Sequence, residues 1–220
     1  AGGISFGTIQ FVDGAYVLAP NHYSEADPLA VALAVWKSGR APRFMAKASL
    51  FKVPVLGALM RATGQIPVER AGSRPEQGKN PLSAANTLIE KQSSVIVYPE
   101  GTLTRDPDLW PMRGKAGAVR LALESGIPLI PAAHWGSQRL MPRYGKKIKP
   151  FPRKTVEVMI GEPLDLSRFT GRPIDARLLN EATDVLMQEI ARLLGELRGE
   201  TPPPERWDPA SHQQSETGRF

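Results

Sequence analysis

The sequence predicts an α/β fold, a central and largely parallel (mixed) sheet flanked by helices. Three observations carry this expectation. Short apolar runs and helix-like segments alternate from Ala15 to Ala133. Several of those runs read as buried strands. A long stripe of leucines at helical spacing then closes the regular part of the chain.

Residues 15–19 form a short strand ending at Pro20, and 21–27 form a turn. Pro28 opens an apolar helix to about Lys37, closed by Gly39. Residues 43–46 are a second strand. Residues 50–60 are helical in character, but Pro54 divides them into two short pieces. Residues 65–68 are a third strand and 72–80 a polar loop. Asn80 caps a helix with Pro81 at its first position, running to about Gln92. Residues 94–98 are a fourth strand. Residues 115–124 are a helix ended by Gly126. Residues 129–133 are a fifth strand between prolines, and 155–160 a further strand. Leu178, Leu179, Ala182, Val185, Leu186, Ile190, Leu193, Leu194 and Leu197 follow a helical stripe. After Gly199 the chain turns to Pro202-Pro203-Pro204 and polar residues. The expected organisation is therefore one domain over 1–199 and an irregular or disordered tail over 200–220.

Composition narrows the chemistry. The 220 residues contain no cysteine, which excludes disulfides, thiolate metal sites and cysteine nucleophiles. The net charge is +6, from 28 Lys+Arg against 22 Asp+Glu, and points to an anionic partner. No apolar run reaches the roughly 18 residues a membrane-spanning helix needs, and no signal peptide is visible. Histidine chemistry must use His22, His134 or His212.

In a parallel sheet, ligands sit beyond the carboxyl ends of the strands. His22 and Asp27 follow the first strand, Lys47 the second and Glu69-Arg70 the third. Glu100, Gly101 and Thr102 follow the fourth, and His134 the fifth. These polar groups are expected to share one edge. His22 and Asp27 would lie about 140° apart on a regular helix, so only a turn or helix start can pair them. Paired, the carboxylate fixes the imidazole tautomer and makes His22 a general base. Otherwise Asp27 is a helix N-cap. Arg70 can fork a phosphate or sit on the surface. The Pro99-Glu100-Gly101 turn can face an anion with backbone N–H groups while the carboxylate orients a basic side chain or a hydroxyl, or be an ordinary turn. Ile66, Pro67, Ile130 and Pro131 line a pocket or belong to the core.

Other patterns carry less. Gly3-Ile4-Ser5-Phe6-Gly7 spells a nucleophile elbow but lacks a preceding strand. Residues 72–79 are one residue too long for a P-loop, with Asn80 in the Ser/Thr place. Nothing in the spacing recommends a metal site from His22, Asp27 and His134. Arg143, Lys146, Lys147, Lys149, Arg153 and Lys154 form a basic run without an acid. It suits anionic headgroups or a phosphorylated carrier, or is a solvated loop. Leu50, Phe51, Val53, Val55, Leu56, Leu59 and Met60, flanked by Lys52 and Arg61, suit a membrane interface or a core. Only Tyr144 and Phe151 interleave with the basic run and no binding motif appears, so no nucleic-acid partner is expected.

Taken together, these stretches resemble the glycerolipid acyltransferases typified by 1-acyl-sn-glycerol-3-phosphate acyltransferases. Asn21, His22, Ser24 and Asp27 match the family's first block, and residues 64–70 the second. Pro99-Glu100-Gly101-Thr102 match the third, and residues 127–131 the fourth. The blocks occur in family order across about residues 15–160. The third commonly continues with Arg after Thr; Leu103 stands there, and Arg105 lies two further on.

The resemblance implies that His22 is the base on a glycerol hydroxyl, with Asp27 orienting and charging it. The hydroxyl attacks an acyl thioester directly, and the acceptor is lysophosphatidic acid, giving phosphatidic acid. Arg70, Lys47, Glu100, Gly101 and Thr102 correspond to phosphate- and acceptor-site positions. The co-substrate is acyl-CoA or acyl-carrier protein, without metal or other cofactor. The expected location is peripheral, on the cytoplasmic face of the membrane, with Phe51, Leu56, Lys146, Lys147 and Lys149 as contacts. Alternatives are an acyltransferase for glycerol 3-phosphate or another lysolipid, a serine lipid hydrolase using Ser5, and a non-catalytic anionic-lipid-binding module.

Overall fold

The structure, a computed structural model, describes residues 4–6, 13–68, 93–145 and 147–215. In chain order the elements are β1 (Ile4–Phe6), β2 (Tyr16–Pro20), α1 (Asp27–Lys37) and β3 (Met45–Lys47). A 3-10 turn (Ala48–Lys52), α2 (Leu56–Ala62), β4 (Ile66–Val68) and β5 (Ser94–Ile96) follow. Then come α3 (Gly117–Ser125), β6 (Leu129–Trp135), a one-turn α4 (Ser137–Leu140), β7 (Val156–Ile160) and α5 (Ala176–Arg198).

The main sheet runs β1-β7-β6-β2-β5, and β3 and β4 form a second, two-stranded sheet. β2 pairs in parallel with both β5 and β6, while β7 runs antiparallel to β6. A parallel bridge between Phe44 and Ile96 hangs the small sheet on the β5 edge. The sheet is therefore mixed, as expected.

β2 is buried along its whole length because both faces are covered. Tyr16 and Leu18 pack under α1 against Val31, Ala34 and Val35. Val17 and Ala19 point to the other face, where α3 and α5 contribute Val119, Ala122, Leu186 and Ile190. The period of two along the strand thus divides its side chains between two apolar layers. α5 buries the leucine stripe. Asp175 caps its first turn by accepting from Leu178 N at 2.8 Å, and Gly199 ends it in the left-handed conformation.

Several expectations change. Ile4–Phe6 is a strand, paired in parallel with β7 at the sheet edge. The Gly3–Gly7 pattern is therefore not an elbow, and its strand is separated from β2 by β7 and β6. β6 extends to Trp135, so His134 lies within the strand rather than after it. Pro54 does separate two short helical pieces. The polar loop 72–80 and the helix expected over 80–92 lie outside the described residues. Between 200 and 215 the tail has no regular element except a 3-10 turn, Ala210–His212. It nevertheless folds back on the body: Arg113 N donates to Trp207 O at 3.0 Å, and Arg206 pairs with Asp184.

Leu186 is fully buried between α5 and the sheet. Leu186→Ala is expected to lower unfolding free energy by about 2–5 kcal/mol in chemical denaturation, through lost transfer energy and a residual cavity.

Candidate active site

The chain between β2 and α1 is wound around one carboxylate. Asp27 is fully buried, and its side chain does not cap α1. Instead, Oδ2 accepts backbone N–H bonds from Tyr23 at 2.7 Å and Ser24 at 2.8 Å, and lies 3.0 Å from His22 Nδ1. Oδ1 accepts from the Ser137 hydroxyl at 2.5 Å. The turn thus brings together the two residues that a regular helix would hold apart.

Burial by itself raises the Asp27 pKa, but the imidazoles and hydrogen-bond donors around it reverse that, and the net shift is downward. His134 Nε2 stands 3.8 Å from Asp27 Oδ2. Burial drives His134 toward its neutral form, so at neutral pH its help to the carboxylate is dipolar. The bonds from His22, Ser137 and the two backbone amides therefore hold Asp27 ionised. With Nδ1 on Asp27, His22 presents Nε2 to the open side; its side chain is 17% exposed. The imidazole stacks on Tyr98, with ring centroids 4.1 Å apart.

Asn21 fixes this turn to the sheet. Its amide donates to His134 O at 3.2 Å and accepts from His134 N at 2.9 Å, prolonging the pairing of β2 with β6 by a side chain. Both ring nitrogens of His134 are engaged, Nε2 on Asn21 O at 2.9 Å and Nδ1 on the Tyr23 hydroxyl at 3.2 Å. His134 is thus a packed, hydrogen-bonded member of the support, and His22, Asp27 and His134 do not form a metal ligand set. Among the described residues no other cluster is arranged to hold a metal ion.

Glu100 takes a different place from the one the resemblance implies. It is fully buried, with Oε1 accepting from His22 N at 2.8 Å and Oε2 from Met112 N at 3.1 Å. It braces two loops through their backbone N–H groups. Burial raises its pKa to about 8. Gly101 is exposed with φ +69, and Thr102 is partly exposed. The loop is also tied to the dyad by Thr104 N donating to His22 O at 2.7 Å. Leu103 and Arg105 are both buried.

Lys47 ends β3 at the same carboxyl edge. Arg70 and Lys146 lie outside the described residues. Ile130 belongs to the core under α1, and Pro131 is buried, so neither lines an open pocket. Ile66 packs partly buried against the other core layer, and Pro67 is half-buried. Leu56, Lys147 and Lys149 are exposed, whereas Phe51 is half-buried because α2 folds back on it.

Sequence reasoning missed Tyr98, Ser137 and Lys115. Ser137 follows Gly136, whose φ of +115 turns the chain back toward Asp27; a Cβ there would meet Thr155 O at 2.3 Å. A Gly-Ser pair just after a buried strand was the available signal. Lys115 lies over the Gly101 turn, its Cδ 3.2 Å from where a Gly101 Cβ would stand. Its signal was a cation two residues before the start of α3.

Comparison with known proteins agrees with this arrangement. The Acyltransferase family model matches residues 8–135. The 1-acyl-sn-glycerol-3-phosphate acyltransferase of Bacillus subtilis is 29% identical over 187 residues, 84% of this chain and 85% of that protein. The Escherichia coli enzyme of the same name is 26% identical over 67% of this chain and 56% of its own length. The chloroplastic enzyme of Brassica napus is 31% identical over 57% of this chain, which spans 35% of that relative. The crystal structure of the 1-acyl-sn-glycerophosphate (LPA) acyltransferase from Thermotoga maritima superposes with a TM-score of 0.61. It is 21% identical and covers 93% of this chain and 73% of its own, which establishes the shared fold.

Glu100 gives the site a pH signature. A carboxyl whose folded pKa is raised binds its proton more tightly folded than unfolded, so stability falls as pH rises between the two values. The opposite contributions of His134 and Asp27 are already complete above pH about 6.5. Between pH 7 and 8 the unfolding free energy should therefore drop by about 1 kcal/mol. In Glu100→Gln that slope should be absent, as read by urea denaturation at each pH.

Proposed function

This chain belongs to the Acyltransferase family, and on that premise we propose that it moves a fatty acyl group from an acyl thioester to the free hydroxyl of 1-acyl-sn-glycerol 3-phosphate, giving phosphatidic acid. The observation that carries the proposal is the His22–Asp27 pair: an imidazole with one nitrogen on a buried carboxylate and the other toward the open side.

His22 Nε2 accepts the proton of the glycerol hydroxyl as that oxygen attacks the thioester carbonyl. Asp27 stabilises the imidazolium that forms and keeps the neutral ring in the tautomer with Nε2 free. When the tetrahedral intermediate collapses, the C–S bond breaks and the imidazolium returns the proton to the leaving sulfur. One ester bond forms and one thioester bond is lost. The base and its carboxylate supply the proton transfers, so acyl-CoA or acyl-carrier protein enters as a co-substrate, without metal or prosthetic group. Tyr98 holds the plane of the ring, and the bonds of Glu100 and Thr104 to the His22 backbone hold its position.

The acceptor phosphate calls for cations at the same edge. Arg70 is assigned this role from its place in the second family block, and Lys47 from its match to a basic position of the family after the second expected strand. Lys115 joins them because it overhangs the exposed Gly101-Thr102 turn. Ser5 plays no part in this reading, since its strand stands at the far edge of the sheet.

His22→Ala should reduce turnover of acyl-CoA with lysophosphatidic acid by about 10²–10⁴-fold, with a melting temperature near wild type. Asp27→Asn should be less severe, read by product mass in the same assay. Wild-type turnover in both would remove the dyad from the reaction. Arg70→Ala should weaken acceptor binding by roughly 1.5–3 kcal/mol, raising the acceptor KM more than the donor KM. Arg70→Lys should recover part of that loss, because it keeps the charge without the fork. A donor-only effect would move Arg70 to the carrier's phosphates.

A further inference from the structure

Two segments outside the catalytic machinery present apolar side chains to solvent. The first is the 3-10 turn with α2. Arg61 Nη1 donates to Phe51 O at 2.7 Å, and a Cβ on Gly57 would stand 2.1 Å from the same oxygen. That face of α2 is closed against the turn. Val55 and Leu59, one helical turn apart, are 83% and 59% exposed. Val55 sits at the centre of a γ-turn, φ +64 and ψ −60, closed by Leu56 N donating to Pro54 O at 2.6 Å. A β-branched residue rarely occupies this conformation. The second segment is the connection from α4 to β7, where Ile148 is 57% and Phe151 79% exposed, between the exposed Lys147, Lys149 and Arg153. Neither 38–68 nor 136–155 contains an acidic residue.

Topology places both segments beside the dyad. The strands β2, β3, β5 and β6 run parallel, so the chain leaving each of them emerges at one edge. The antiparallel β7 begins at that same edge. In the sheet, β6 lies on one side of β2, and β5 with the bridged β3 on the other. Contacts tie both sides to His22. Tyr98 stacks on His22 and on Phe44, just before β3. Ser24 Oγ donates to Met141 O at 2.6 Å, and Tyr144 N to Glu25 Oε2 at 3.2 Å.

We propose that the α2 segment and the 147–153 segment together form a docking surface for an anionic lipid bilayer, seating the His22 edge of the sheet against the surface that holds the acceptor. The proposal rests on the reading of the acceptor as a lysophospholipid. Isolated, protruding apolar side chains set among cations suit the bilayer interface, where the side chain enters the acyl boundary and the cation meets the headgroups. An acidic carrier protein would use the cations and leave Val55, Leu59 and Phe151 in water. Screening confines the charge attraction to about 8 Å at physiological salt, so the cations must lie against the lipid.

Co-sedimentation of the full chain with vesicles tests this, using pure phosphatidylcholine and phosphatidylcholine mixed with phosphatidylglycerol. Wild type should prefer the anionic vesicles and lose them as salt rises. Lys147→Ser with Lys149→Ser should lower anionic-vesicle partitioning on the order of tenfold. Val55→Ser with Leu59→Ser, and separately Phe151→Ser, should each lower partitioning severalfold onto both vesicle types, with unchanged melting temperatures. Turnover of a water-dispersed short-chain acceptor should stay at wild type in all three variants, while turnover of vesicle-borne acceptor falls. Absence of vesicle binding, binding untouched by all three variants, or lowered melting in both apolar variants would overturn the surface. So would lysine-dependent binding to an acyl-carrier protein without vesicle binding. Because sedimentation needs no turnover, vesicle binding by a chain inactive on every acceptor would leave the surface standing and sink the functional reading instead.

Discussion

The ionised carboxylate of Asp27 is the constraint on which this site depends. A charge without solvent must be surrounded by donors or lose its charge. Asp27 obtains four, from His22, Tyr23 N, Ser24 N and Ser137. Three of them come from the turn just before it, two as backbone amides, which gives that turn its shape. One comes from the loop after β6, which ties two neighbouring strands into one site. Of these four, His22 also has a side chain partly open to solvent. The same bonds that make the buried charge tolerable therefore orient the His22 imidazole.

Glu100 meets burial in the opposite way. It has two backbone donors, from His22 and Met112, and its pKa rises to about 8. Two carboxyl groups within one edge thus divide into an ionised partner for the imidazole and a largely protonated brace for the backbone. The division also limits repulsion: a second full negative charge behind His22 would oppose the approach of the anionic acceptor proposed above. The brace reaches further than the site, because Met112 precedes Arg113, whose N–H is held by Trp207 of the C-terminal segment. The segment that the sequence marks only as proline-rich and polar is thereby connected, through Glu100 and the backbone, to the His22–Asp27 turn.

Most strands, the helix breaks at Pro54 and Gly126, and the long α5 were legible because apolar period and Gly/Pro punctuation act locally. β1 was not, since three residues between glycines leave no period to read; its pairing with β7 is a contact across the whole chain. Pairing of His22 with Asp27 was legible only as a condition, that a turn should form. What satisfies the condition, Ser137 and the Asn21–His134 pairing, lies more than 100 positions away. Ile130 shows which of two open readings the fold selects. An apolar residue in a family block resembles a pocket wall, but strand alternation turns it into the core under α1. Glu100 was found by its place in a block, yet its role was set by the direction of its side chain, which spacing does not encode.

The mixed sheet gives these local facts a common geometry. Had β7 run parallel to β6, the connection between them would have crossed to the opposite edge. Because it is antiparallel, residues 136–155 both leave and return at the edge that carries His22. That one reversal puts Ser137 under Asp27, and Met141 and Tyr144 against the Ser24–Glu25 turn. On the other side, the bridge from Phe44 to Ile96 carries β3 into line with β5, and the following turn and α2 leave from the same edge. The His22–Asp27 pair is built on the buried centre of the sheet, and α2 and residues 147–153 are free to be apolar and basic because neither segment supplies a bond to Asp27.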